Sequence, residues 1–194
     1  MSHQRASGPL QQHMLAVNET GLAFVEHARR LSHDCGPLDW TPEVSHRFGS
    51  GGGRYEDSHL ICDALLYYVA EDPAARRSDH LRFFIELDRA PMSVARLAAK
   101  VTFYARYYDY VPTPADGSGA RQTAAWRDRY PRFPRVLIVF DGKPAPALER
   151  RRRELAAHLA ALPACGATGT VSSLTPRLSP SSENGINSQD PVPR

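Results

Sequence analysis

The chain has 194 residues, of which 42% are hydrophobic and 23% charged, and a formal net charge of +3. That is enough length and apolar content for one domain with a real core plus tails, and the small positive excess is compatible with a nucleic-acid partner without demanding one. Cys35, Cys62 and Cys165 are far apart and odd in number, which argues against a disulfide framework and against a zinc site. No apolar run approaches the roughly 18 residues that span a bilayer, and the polar N-terminus lacks a signal-peptide core. The expectation is a cytoplasmic protein with free thiols and no membrane partner.

Residues 1–12, with Gly8-Pro9, read as a flexible leader ahead of a domain over 13–165. A first helix is expected from Asn18, a plausible cap, with Leu22, Val25, Ala28 and Leu31 on its apolar face. Leu38-Asp39-Trp40 reads as extended. Thr41-Pro42-Glu43 looks like a helix start with proline at its first position, giving a short helix over Glu43 to Phe48. The glycine run from Gly49 to Gly53 lacks the Lys-Ser/Thr of a phosphate loop.

Two strands follow, about Leu60 to Ala70 and His80 to Asp88, expected as a hairpin. Ser93 caps a helix from Val94 to about Tyr108, with Val94, Leu97, Val101, Tyr104 and Tyr108 on one face. Residues 112–134 read as a long surface loop. Arg135 to Phe140 reads as a buried strand, and a last helix spans about Pro146 to Leu162. Residues 166–194 are expected to be a disordered tail, rich in Ser, Thr, Pro and Gly. The order suits a mixed α/β sheet flanked by helices.

Three carboxylates stand out. Asp63 lies within one apolar strand, and Glu86 and Asp88 end the next, at i and i+2, where side chains share a face. Acids clustered there repel each other and resist burial unless a cation sits between them. A divalent metal with a lysine nearby, here Lys100, is the apparatus of phosphodiester cleavage. The bland alternative is that the acids are solvated at the sheet edge or paired with Arg89 and Arg96. Trp126, with Arg127 and Arg129, would stack on bases or grip phosphates, or else decorate a surface loop. The run Arg150 to Arg153 reads as a solvated helix face, given Glu149 and Glu154 beside it. Of Tyr104, Tyr107, Tyr108 and Tyr110, the first three read as core and rim residues of an amphipathic helix rather than a nucleophile.

The element order, with an acid on one strand and an acid pair on the next, resembles the PD-(D/E)XK, or restriction-endonuclease-like, fold. At closer range the chain resembles the bacterial replication-relaxation family of plasmids and mobile elements, over roughly residues 13–162. The stretches that carry the resemblance are His13 to Asn18, Leu38 to Glu43, Ile61 to Ala64 and Phe83 to Arg89, continuing through Leu97 to Val101, Tyr104 and the strand Val136 to Phe140.

The resemblance implies a role in plasmid replication, DNA relaxation or mobilisation, with Mg²⁺ or Mn²⁺ as cofactor and DNA as partner. It would place Asp63 and Glu86 as metal ligands and Asp88 as a third ligand or water-orienting catalytic group. Glu26 on the first helix would complete the metal shell, and Lys100 would be the catalytic lysine. Read from residue type alone, the candidate nucleic-acid contacts are Arg89, Trp126, Arg127 and Arg129. Two positions depart from the motif: Cys62 stands where proline is usual, and Asp88 stands where the strand lysine is usual. Family members often carry a winged-helix region ahead of this domain, so a separate DNA-binding protein is an expected partner. The alternatives are an inactive DNA- or protein-binding accessory module and a toxin- or defence-type nuclease.

Overall fold

The computed structural model describes residues 4–49, 58–89, 92–113, 123–161 and 171–174. The glycine run beyond Gly49, Arg121, Cys165 and the tail after Leu174 lie outside them.

Helix α1 (Gln4–Leu31) leads through a short 3-10 turn, Pro37–Asp39, into strand β1 (Trp40–Arg47). Strands β2 (His59–Asp72) and β3 (Arg77–Asp88) form the expected hairpin, with Asp72 paired to Arg77 at its tip. Helix α2 (Val94–Asp109) crosses to β4 (Arg135–Phe140), and α3 (Ala145–Ala160) crosses to β5 (Val171–Leu174). The five strands stand in chain order, β1 to β3 antiparallel and β3 to β5 parallel. The architecture is mixed α/β, as the sequence implies.

Alternation along β3 and β4 splits the core in two. Phe84, Val136, Ile138 and Phe140 pack with Leu97, Val101, Tyr104 and Tyr107 of α2 and Leu148 and Leu155 of α3. Ile85, Leu87, Leu137 and Val139 point the other way, against Ala16, Val17, Val25 and Ala28 of α1. Ser93 caps α2 as expected, its hydroxyl accepting the Arg96 N–H at 3.3 Å.

Four expectations are corrected. The helix expected over Glu43 to Phe48 is instead part of strand β1, which runs from Trp40 to Arg47. Val44, His46 and Phe48 turn inward at every second residue, and the segment pairs with β2 through Val44–Cys62 and His46–Leu60. Pro42 is tolerated because β1 is an edge strand. Helix α1 begins at Gln4, within the expected leader, and runs straight through Asn18. Its buried face carries small residues, while Leu22 is 62% exposed, because the helix lies close to the sheet: a methyl on Gly21 would stand 2.8 Å from the Trp40 ring. Last, Val171–Leu174 is a strand inside the expected tail, paired with β4 from Val136 to Val139.

Candidate functional site

The β2–β3 ladder stops at the pair Ala64–Ile85, and the strands part beyond it. Asp63 is the next residue of β2. Its Oδ2 accepts the Leu87 backbone N–H at 2.7 Å, doing with a side chain what the neighbouring strand no longer does. Glu86 projects from β3 toward α2, on the face shared with Phe84, and is 3% exposed. On α2, Lys100 and Tyr104 are one turn apart and so share a face. The Lys100 ammonium donates to Glu86 Oε2, and the Tyr104 hydroxyl donates to Glu86 Oε1. Lys100 Nζ also stands 3.9 Å from Asp63 Oδ1. From α1, His13 Nε2 lies 3.3 Å from the same Asp63 oxygen.

The electrostatics follow from burial. Loss of water pushes the Glu86 carboxyl up to about 7, with Lys100 pulling it down and the Asp63 charge pushing it up. Burial by itself would lower the Lys100 ammonium, but the carboxylates of Glu86 and Asp63 outweigh it and raise its pKa. Tyr104, buried against Glu86, is held well above its ordinary value and stays a phenol, which makes it a donor to the carboxylate rather than a nucleophile. Cys62, also buried beside Glu86, is pushed up to about 12 and is inert as a thiolate.

Asp63, Glu86 and Lys100 therefore meet, as the sequence suggests. Asp88 shares Glu86's face but does not join them. Its carboxylate is 5% exposed and is clamped by Arg151 of α3 through two hydrogen bonds, Nη2 to Oδ1 at 3.0 Å and Nε to Oδ2. Arg151 also donates to the Met92 carbonyl, so this pair ties α3 to the end of β3. Glu26 is exposed on α1, thirteen residues or about 20 Å along the helix from His13, and so stands apart from the place where His13 meets Asp63. Among the described residues no three His, Cys, Asp or Glu side chains cluster to hold a metal.

The expected nucleic-acid contacts also divide. Trp126 is core: its ring stacks on Tyr108, its Nε1 donates to the Tyr108 carbonyl at 3.1 Å, and it is not available to stack on bases. Arg127 covers the Trp126 ring from outside at 4.4 Å. Arg129 is exposed, with Nη1 bound to the Ser45 carbonyl at 3.1 Å. Arg89 lies 3.5 Å from Asp141.

A family model described as replication-relaxation matches residues 1–121. The chain belongs to the replication-relaxation family. The match runs from α1 through α2, so His13, Asp63, Glu86, Lys100 and Tyr104 all lie inside it, whereas Arg151 lies outside. No curated protein and no solved structure matches the chain. Family membership points to a role in replication or relaxation, and no described helix is long and apolar enough to cross a membrane.

Three site residues escape the sequence reading. Tyr104 is recoverable from its one-turn spacing to Lys100. His13 and Arg151 are not, because each reaches an acid far away in the chain.

Proposed function

We propose that this member of the family processes DNA as a metal-dependent nickase with a restriction-endonuclease-like core, in which Asp63 and Glu86 hold Mg²⁺ or Mn²⁺ and Lys100 assists. One observation carries the reading: the Lys100 ammonium reaches both carboxylates, and among the described residues neither acid is paired with an arginine. The shared place between them already accommodates positive charge.

The donors suit a hard cation. Mg²⁺ commonly takes one or two protein carboxylates and completes its shell with water and substrate phosphate. Two carboxylates, with no cluster of three or more His, Cys, Asp or Glu around them among the described residues, fit that pattern rather than a closed site of nitrogen and sulfur ligands. Such an ion lowers the pKa of a bound water and shields phosphate charge. The chain's own residues do the rest. Leu87 N–H and His13 orient Asp63. Tyr104 fixes one oxygen of Glu86 and leaves the other toward Lys100. Lys100, the more exposed partner at 30%, is placed to offset charge on a phosphate.

The test is nicking of supercoiled plasmid with Mg²⁺ or Mn²⁺, beside Glu86→Gln. Metal-dependent nicking that vanishes in the variant supports the reading. A second reading, an inactive DNA-binding accessory module, is favoured by Asp88 standing at the usual lysine position and locked to Arg151. Salt-dependent DNA binding with no nicking in either metal would select it.

A further inference from the structure

A pocket of about 390 Å³ opens beside the edge strand, away from the acids. It is lined by Ser45, His46 and Arg47 of β1, His59 of β2, Tyr107 of α2 and Arg129. We propose that this pocket is a second binding site, for a phosphate group carried on a nucleotide or nucleic-acid strand.

The lining mixes polar with apolar surface, Ala125 included, and carries two arginines. None of the described residues that line it is acidic, and Asp128, next to Arg129 in the chain, is exposed and not part of the wall. Both arginines are exposed, but Arg129 is anchored: its Nη1 donates to the Ser45 carbonyl at 3.1 Å, which holds the planar guanidinium in place over β1. Two guanidinium groups around a concave surface suit the oxygens of a phosphate, which they bind through paired, charge-assisted hydrogen bonds. The cleft is open to solvent, and its volume is within the range of small-ligand sites rather than that of a lone water.

The floor is rigid. His46, 1% exposed, packs against Phe84 and Tyr107 at ring distances of 5.1 Å each, and its Nε2 pairs with the Tyr130 hydroxyl at 2.6 Å. Burial and the nearby Arg129 lower its pKa to about 4, so it is neutral at pH 7 and adds no charge beside the two arginines. The floor also connects to the acids. Phe84 touches His46 on one side and Tyr104 at 5.4 Å on the other, and Tyr104 holds Glu86. Pocket and acid pair therefore share one face of the sheet, two ring contacts apart. The site needs no cleavage chemistry and stands whether or not Glu86 serves a nickase.

The experiment is an NMR titration of the full chain with inorganic phosphate, with a thymidine dinucleotide bearing a 5′-phosphate, and with the same dinucleotide lacking it. The amides of Ser45 to Arg47, His59 and Arg129 are expected to shift. Arg47→Ala and Arg129→Ala should each weaken binding about tenfold, with Glu86→Gln leaving it unchanged. If the 5′-phosphate is required, the site takes a terminal phosphate. If both dinucleotides bind alike, it takes a backbone phosphodiester. Amides that do not move at millimolar ligand, or binding that survives both arginine substitutions, would overturn the proposal. Loss of nicking in Glu86→Gln reports separately on the acid pair.

Discussion

Asp63 Oδ2 accepts the Leu87 backbone N–H at 2.7 Å, one residue beyond the last β2–β3 pair. The side chain thus has two duties: it satisfies a backbone donor in a buried stretch of β3, and it presents its other oxygen to Lys100 and His13. The two duties separate by substitution. Asp63→Asn keeps an acceptor for Leu87 and should stay within about 1 kcal/mol of the parent's stability, while metal-dependent nicking is lost. Asp63→Ala orphans the N–H and should cost about 1–3 kcal/mol besides. Urea denaturation beside the plasmid assay checks both, and full nicking in Asp63→Asn would remove Asp63 from the chemistry.

Glu86 sets a pH dependence. Its carboxyl is raised from an ordinary 4.5 to about 7, so the folded chain holds that proton over a range in which the unfolded chain has released it. Stability from this group is full below about 4.5 and is lost as the pH rises to about 7. In Glu86→Gln that falling stretch should flatten. Melting temperatures of both proteins across this range measure it, and parallel profiles would show that Glu86 is not the titrating group.

Removing the Lys100 charge strands the Glu86 carboxylate. Lys100→Met should destabilise by about 1–3 kcal/mol, less than for a fully enclosed pair because the ammonium is 30% exposed. The double variant Lys100→Met/Glu86→Gln should recover most of that loss, since no charge is left uncompensated. A double-mutant cycle in urea gives the coupling directly, and additive losses would mean that the pair contributes nothing of its own.

What the sequence makes legible follows from the range of each interaction. The hairpin, α2 and β4 announce themselves because alternation, a Ser93 cap and an apolar run are local signals. Strand β1 is hidden because Pro42-Glu43 mimics a helix start, although Val44, His46 and Phe48 already alternate. Strand β5 is four residues with two serines, and only its pairing with β4 defines it. Among the acids, Asp63 and Glu86 are conspicuous as charges in apolar strands. The parity that groups Asp88 with Glu86 is correct, but its neutralising partner Arg151 is 63 residues away, in a basic run whose other members face Glu149 and Glu154 on the surface.

That partner makes a prediction about Asp88. A carboxylate 3% exposed at the side chain and clamped by a guanidinium has its charge balanced within the protein, as a structural anion does. Arg151→Ala should destabilise by about 3–5 kcal/mol, because it leaves the charge buried and alone. Asp88→Asn should keep nicking per folded molecule near the parent level, in contrast to Glu86→Gln. Equal loss of nicking in the two acid variants would return Asp88 to the site.

Gly21 sets how closely α1 approaches the sheet, and with it the reach of His13 to Asp63. In a helix, alanine is favoured over glycine by about 1 kcal/mol, so Gly21→Ala should stabilise if propensity alone decided. Here the added methyl would meet the Trp40 ring at 2.8 Å on more than one atom, well inside contact distance. The ring stands at the start of β1, partly buried against the core between α1 and the sheet, and the contact falls on its inner atoms rather than at a flexible tip. Overpacking of this kind costs about 1–3 kcal/mol, which outweighs the propensity gain. Gly21→Ala is therefore expected to lower the melting temperature. Gly21→Ala/Trp40→Leu, with a smaller side chain opposite, should lose less than the two single changes together. A stabilised Gly21→Ala would show that α1 sits farther from the sheet than these contacts place it, and that His13 is not held against Asp63.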